Sequence, residues 1–125
     1  MNIEHSHCPF CNLHDANIIH QNDFGLIMHD DNPVSKGHAL IVPHRHISSF
    51  FDVTENERKS LVNLLELARN DLKMRFQPDG FHVGFNDGNV VGQRIEHLHI
   101  HVIPRYSDQA LHLDKRWGVI SGQSA

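Results

Sequence analysis

Residues 97–103 read His-Leu-His-Ile-His-Val-Ile, in which imidazole and aliphatic side chains alternate strictly from His97 to Val102. In extended chain, successive side chains point to opposite faces. The alternation therefore predicts a β-strand over Glu96–Pro104 that buries Leu98, Ile100 and Val102 in a core. His97, His99 and His101 then share the other face, with neighbours about 6.6–7 Å apart. Folding does not require three imidazoles in a row on a rigid strand. Two bland readings stay open: a polar edge-strand face, and one metal held by all three rings. A three-histidine metal site usually adds further ligands and a water-filled position.

Histidine is abundant throughout, with 13 in 125 residues. The residues are spread from His5 to His112, so they do not form a purification tag. Near pH 7 each can serve as a base, an acid or a metal ligand. The length fits a single domain spanning 1–125. Apolar residues at 39% and charged residues at 21% describe an ordered globular chain. A net charge of −4 argues against nucleic-acid binding, which needs a basic footprint. The longest aliphatic run, Ala39–Val42, is far short of the ~20 residues of a bilayer span. The N-terminus shows no secretory pattern, so the expected location is the cytoplasm, without membrane attachment.

The remaining elements assemble around that strand. Ile18-Ile19 and Leu26-Ile27-Met28, separated by turn-like Gln21-Asn22-Asp23, read as a hairpin. Asp30–Pro33 is a loop, closed by Lys36-Gly37. His38–Pro43 is a nearly continuous apolar strand suited to the middle of a sheet. Thr54-Glu55-Asn56-Glu57 is a capping box opening a helix that runs to about Arg75. Leu61, Leu64, Leu65, Ala68 and Leu72 form its apolar face. Gln77-Pro78-Asp79-Gly80 stops it. Phe81–Phe85 alternates as a strand, and Asp87–Gln93 is a loop. Trp117–Ile120 reads as one more short strand in an otherwise weakly patterned C-terminus. The sum is an α+β fold: an antiparallel sheet of about five strands with one long helix.

Both cysteines lie in one Cys8-Pro9-Phe10-Cys11. Without a secretory signal, that spacing points to metal or redox chemistry. A redox motif normally follows a strand and opens a helix, and seven residues leave no room for a preceding strand–helix unit.

The segment Gly92-Gln93-Arg94-Ile95-Glu96-His97-Leu98-His99-Ile100-His101-Val102-Ile103 resembles the signature of the histidine triad family of nucleotide hydrolases and transferases. The likeness extends over a core of about 8–106. It includes His38–Pro43 with His46-Ile47-Ser48, the Asn86-Asp87-Gly88 loop, and a Pro104-Arg105-Tyr106 ending similar to the bacterial and Fhit-like members. The C-terminal segment 107–125 carries no motif. The resemblance implies that His99 attacks the α-phosphorus of a purine nucleotide, forming a nucleotidyl-histidine later cleaved by an acceptor such as water. A neutral imidazole is both nucleophile and leaving group, which splits one displacement into two easier ones. His101, His38 and His97 complete the histidine set. Asp30 falls where ribose hydroxyls are accepted. Asn86 and Gln93 are neutral donors for phosphate oxygens. Phe10, Met28 and Leu40, with Pro9 and Leu13, fall where the purine slot is formed, and each is equally a good core residue.

The resemblance also implies a structural zinc held by Cys8, Cys11, His46 and His97, as in several bacterial members and the related galactose-1-phosphate uridylyltransferases. Two thiolates and two imidazoles make a closed tetrahedral set; His44, two residues from His46, is the rival ligand. No catalytic metal or organic cofactor is expected. The family pairs its subunits, which implies a homodimer with a sheet continuous across it. Arg94 stands where phosphoramidate-cleaving members carry a small hydroxyl. It could hold a second phosphate, favouring dinucleoside polyphosphates, or point to solvent. The rival functional reading is a nucleotide-binding regulator with little turnover.

Overall fold

The computed structural model describes residues 7–13 and 17–108. Its sheet has five antiparallel strands in the order β1-β2-β3-β5-β4. These are β1 (Ile18–Gln21), β2 (Gly25–His29), β3 (Ala39–Pro43), β4 (Gly80–Gly84) and β5 (Ile100–Arg105), with one long helix, α1 (Glu55–Phe76), between β3 and β4. The expected α+β architecture is what forms. The segment Trp117–Ile120 lies outside the described residues.

The helix starts where its chemistry dictates. Thr54 accepts from the Glu57 N–H, and Glu57 accepts from the Thr54 N–H, a complete capping box. It ends at Gln77, whose left-handed φ of 52° closes the last turn. Leu61, Leu64, Ala68 and Leu72 pack against Ile27, Ala39, Ile41, Leu98, Ile100 and Val102, with Leu65 partly buried at the margin. Each fully buried leucine stabilises the fold by about 2–3 kcal/mol. The close approach is made possible by Gly25, where a Cβ would stand 2.8 Å from the Val42 carbonyl and 3.1 Å from Leu64.

Because side chains alternate, the opposite face of the sheet carries a second set. Leu26, Met28, Leu40 and Val42 form a smaller cluster there, covered by Phe10, Leu13 and Ile18. Helix on one face and loops on the other leave the second face available for a cavity.

One boundary differs from expectation in a consequential way. The strand predicted over Glu96–Pro104 begins only at Ile100. Over residues 97–99 the backbone is used otherwise: Leu98 N–H donates to the Ile47 carbonyl at 2.7 Å, and the His97 carbonyl accepts from the His99 ring. The inward side of the alternation persists, since Leu98 joins Ile100 and Val102 in the helix-side core. The three histidines do not form one even row.

Candidate active site

The loop-covered face of β2, β3 and β5 carries a cavity of about 140 Å3. Met28, Leu40 and His101 lie in register across neighbouring strands. All three line the cavity, joined by Pro9 and Phe10, by Asp30, Asp31 and Asn32, and by Arg94, Ile95 and His99.

Backbone partners assign a proton to each ring. His99 Nδ1 donates to the His97 carbonyl at 2.8 Å, which leaves a lone pair on Nε2. Burial lowers the His99 pKa against smaller opposing pulls from that carbonyl and Asp30, so the ring is neutral at pH 7. Its neighbours are Phe10, at 5.1 Å between ring centroids, and His101, at 5.2 Å.

His38 is buried, and its Nδ1 accepts from the Val34 N–H at 3.2 Å. Its proton therefore sits on Nε2, 2.9 Å from His101 Nδ1 and 3.3 Å from Asp30 Oδ2. His101 Nδ1 is the acceptor, so His101 carries its own proton on Nε2. Burial, with His99 and His38 adding to it, pushes the His101 pKa down to about 3. Burial also lowers that of His38, opposed by Asp30 and reinforced by Arg105. Asp30 is held from its other oxygen, which accepts from the Asn32 N–H at 2.8 Å. The result is a chain of neutral rings ending on a carboxylate.

Below this chain, Cys8, Cys11, His46 and His97 bring four ligand atoms within 4.8 Å of one another. Cys8 Sγ lies 3.4 Å and Cys11 Sγ 3.6 Å from His97 Nδ1, and Cys11 Sγ lies 3.2 Å from His46 Nδ1. A tetrahedral ion with ordinary bonds to sulfur and nitrogen separates those atoms by about 3.5 Å. The tautomer agrees: His97 Nε2 donates to the Pro43 carbonyl at 2.8 Å, so Nδ1 offers its lone pair to the cluster. Burial first, and then Cys8, pushes the Cys11 thiol up to about 11. The residues fit a metal. His44, the rival ligand, is turned away, its Nε2 donating to the Asn22 carbonyl at 2.8 Å.

Asp30, His38 and His101 also approach within ligand range of a single ion. Val34 takes the lone pair of His38 Nδ1 and leaves a proton on Nε2, and a protonated ring nitrogen does not ligate. This group is a hydrogen-bonded chain, not a metal centre.

Other sequence candidates take up different positions. Phe10, Met28, Leu40, Asp30 and Arg94 line the cavity; Leu13 packs on the cluster beneath it. Asn86 is half-buried beyond the cavity lining. Gln93 is buried and braces the loop, accepting from the Gly88 N–H at 2.7 Å and donating to the Ser48 carbonyl at 2.9 Å. His82, on β4, accepts from Arg105 Nε at 3.0 Å. His5, His14 and His112 lie outside the described residues.

Sequence reasoning missed Val34, which acts through a backbone N–H and leaves no side-chain signal. It also missed Arg45, which donates twice to the capping-box Glu57, at 2.8 and 2.9 Å, and so pins the His46 loop to the helix. Only the placement of Arg45 beside His46 could have hinted at it.

The HIT domain model matches residues 12–108. A HIT-like protein of Methanocaldococcus jannaschii is 32% identical over 103 residues, covering 79% of each chain. An AP-4-A phosphorylase of Mycobacterium tuberculosis is 38% identical over 79 residues, 62% of this chain and 40% of that protein. The crystal structure of a HIT family protein from Bacillus anthracis superposes with a TM-score of 0.76 at 28% identity, covering 89% of this chain and 84% of that one.

Proposed function

This chain belongs to the HIT domain family, and from that premise we propose that it is a cytoplasmic nucleotide hydrolase or transferase acting at the α-phosphate of AMP-linked substrates. The observation that carries the proposal is the His99 ring, neutral, with Nδ1 committed to the His97 carbonyl and Nε2 as the lone-pair nitrogen. In the first step Nε2 bonds to the α-phosphorus as the bond to the leaving-group oxygen breaks, the electron pair departing with that oxygen. In the second, water or phosphate takes the nucleotidyl group. The acceptor gives up its proton, and imidazole leaves as the same Nδ1–H ring.

His101, its Nδ1 occupied by His38, presents Nε2–H as a donor to phosphate oxygens as charge builds on them. His97 holds the nucleophile by its carbonyl. Asp30 takes the ribose hydroxyls. Asn86, half-buried beyond the cavity lining, is the further amide donor to phosphate oxygens, whereas Gln93, held by the Gly88 N–H and the Ser48 carbonyl, positions that loop. Phe10, Met28 and Leu40 form the purine slot. Arg94 lines the cavity, and a guanidinium there suits a second phosphate. That placement and the likeness to the AP-4-A phosphorylase favour dinucleoside polyphosphates over phosphoramidates. No catalytic metal or organic cofactor enters these steps.

We assign Cys8, Cys11, His46 and His97 to a structural zinc, for which two thiolates and two imidazoles are a closed set. A cluster that needs free thiols suits the reducing cytoplasm. The protein is a homodimer joined along β4, an outer strand of the sheet, where Val83 is exposed and Phe51 leans on Phe85 beside it. Light scattering is expected to give twice the chain mass of 14.3 kDa.

The test is AMP release from diadenosine tri- and tetraphosphate, adenosine 5′-phosphoramidate and an ADP-sugar, by the protein and by His99→Ala. Release abolished in the variant, with a nucleotidyl adduct on His99 in quenched wild-type samples, supports the reading. AMP binding without turnover on any substrate replaces it with the regulator. Turnover retained by His99→Ala removes the covalent mechanism.

A further inference from the structure

Two short pieces of chain each belong to the metal cluster and to the cavity at once. In the first, Cys8 and Cys11 are cluster residues, and the two residues between them, Pro9 and Phe10, line the cavity. In the second, the His97 side chain is in the cluster, its carbonyl fixes the His99 proton, and His99 lines the cavity. Phe10 spans both pieces, with ring centroids 5.7 Å from His97 and 5.1 Å from His99.

Within the first piece, Cys11 N–H and Asn12 Nδ2 both donate to the Cys8 carbonyl, at 3.2 and 2.8 Å, and shape the turn. Its sulfurs reach the His97 and His46 rings, and Phe10 packs on the β2–β3 cluster. An ion shared by Cys8, Cys11, His46 and His97 would tighten those ties, because His97 is anchored to Pro43 of β3. Clamping both ends of a four-residue turn fixes the ring between them.

We propose that metal and nucleotide bind this protein with linked affinity, the coupling carried by Phe10 between the two sites. The inference rests on the nucleotide reading of the cavity. A base packed on Phe10 holds the Cys8–Cys11 turn in its metal-bound arrangement. By reciprocity, an ion in the cluster preforms the wall that the base packs on.

The measurement is zinc affinity of the full chain, by chelator competition, alone and with saturating AMP or ribose 5-phosphate, in wild type and Phe10→Ala. AMP is expected to tighten zinc by about 5–10-fold in wild type. Ribose 5-phosphate, which has no base to reach Phe10, is expected to leave zinc affinity unchanged. AMP is expected to lose its effect in Phe10→Ala, which keeps all four metal ligands. Four results overturn the proposal. Binding of AMP to the zinc-loaded protein with no change in zinc affinity leaves the nucleotide reading standing alone. A zinc shift by saturating ribose 5-phosphate as large as that by AMP, or a full AMP effect in Phe10→Ala, makes the linkage a general consequence of ligand binding to the folded chain. Failure of AMP to bind zinc-loaded wild type at all removes the nucleotide reading together with the linkage.

Discussion

The molecule places two histidine clusters side by side, and the backbone gives them opposite chemistry. In the Cys8, Cys11, His46 and His97 group, the Pro43 carbonyl takes the His97 Nε2 proton and turns a lone pair toward two sulfurs. In the Asp30, His38 and His101 group, the Val34 N–H takes the His38 lone pair and turns a proton toward its neighbours. Residue types and spacing make both look like metal sites. A carbonyl behind a ring makes the far nitrogen a ligand; an N–H behind it makes the far nitrogen a donor. His99 follows the carbonyl rule with no sulfur in front of it, and on the proposed function its lone-pair nitrogen is the one that meets phosphorus.

If the two clusters differ in this way, one set of changes should destroy rate and the other stability. The largest effect belongs to His99→Ala. Turnover is expected to fall by at least about 10^4-fold in steady-state assays, because removing a covalent nucleophile leaves only binding and donor effects. Tm should stay within a few degrees of wild type. Next comes Cys11→Ala or chelation of the proposed zinc. Either is expected to lower Tm by at least about 10 °C in calorimetry, because metal binding is coupled to folding. In the fraction that stays folded, turnover should fall far less than in His99→Ala. Equal collapse of rate and stability in both variants would erase the distinction.

Much of this was legible before any coordinates, and the gaps have physical causes. The capping box of Thr54 and Glu57 and the apolar spacing of α1 depend on local chemistry, so sequence placed the helix within a residue of each end. β3 reads from its own composition because both of its faces are buried. The onset of β5 did not read, because Leu98 N–H and the His97 carbonyl are taken by a loop and a side chain, and neither partner is implied by alternation. Strand parity alone did not separate His46, which joins the cluster as the resemblance implied, from His44, for a related reason. β3 ends at Pro43, and past that point strand parity no longer says which way a side chain faces. The proton on His38 was beyond reach altogether, since a loop N–H sets it.

A smaller effect probes the donor chain directly. His38→Ala takes away the donor to His101 Nδ1 and lets that ring change tautomer. Turnover is expected to fall by about 100-fold, the low end of the ~10²–10⁴-fold worth of a positioned proton donor, because His38 acts through His101, with KM nearly unchanged. Bound metal per chain, measured by elemental analysis, should be the same as in wild type. A loss of metal in His38→Ala would show that the clusters are not independent in the direction from donor chain to metal.

The smallest effect is electrostatic and belongs to the support of His46. Glu57 has its pKa lowered to about 2, chiefly by the two hydrogen bonds from Arg45, against burial. A carboxylate with a depressed folded-state pKa contributes stability that is present above its unfolded value of about 4.5. That contribution fades as pH falls from there toward 2. Half of the Arg45 side chain is exposed to solvent, which screens the pair and holds the contribution to about 1–2 kcal/mol. Glu57→Gln is expected to lower stability by that amount at pH 7, in urea denaturation, and to flatten the dependence on pH between about 4.5 and 2. Because Arg45 adjoins His46, the same variant should weaken metal retention measurably while leaving kcat alone. A fall in kcat with metal retention intact would place the Arg45–Glu57 pair in the service of the donor chain, on the wrong side of the comparison.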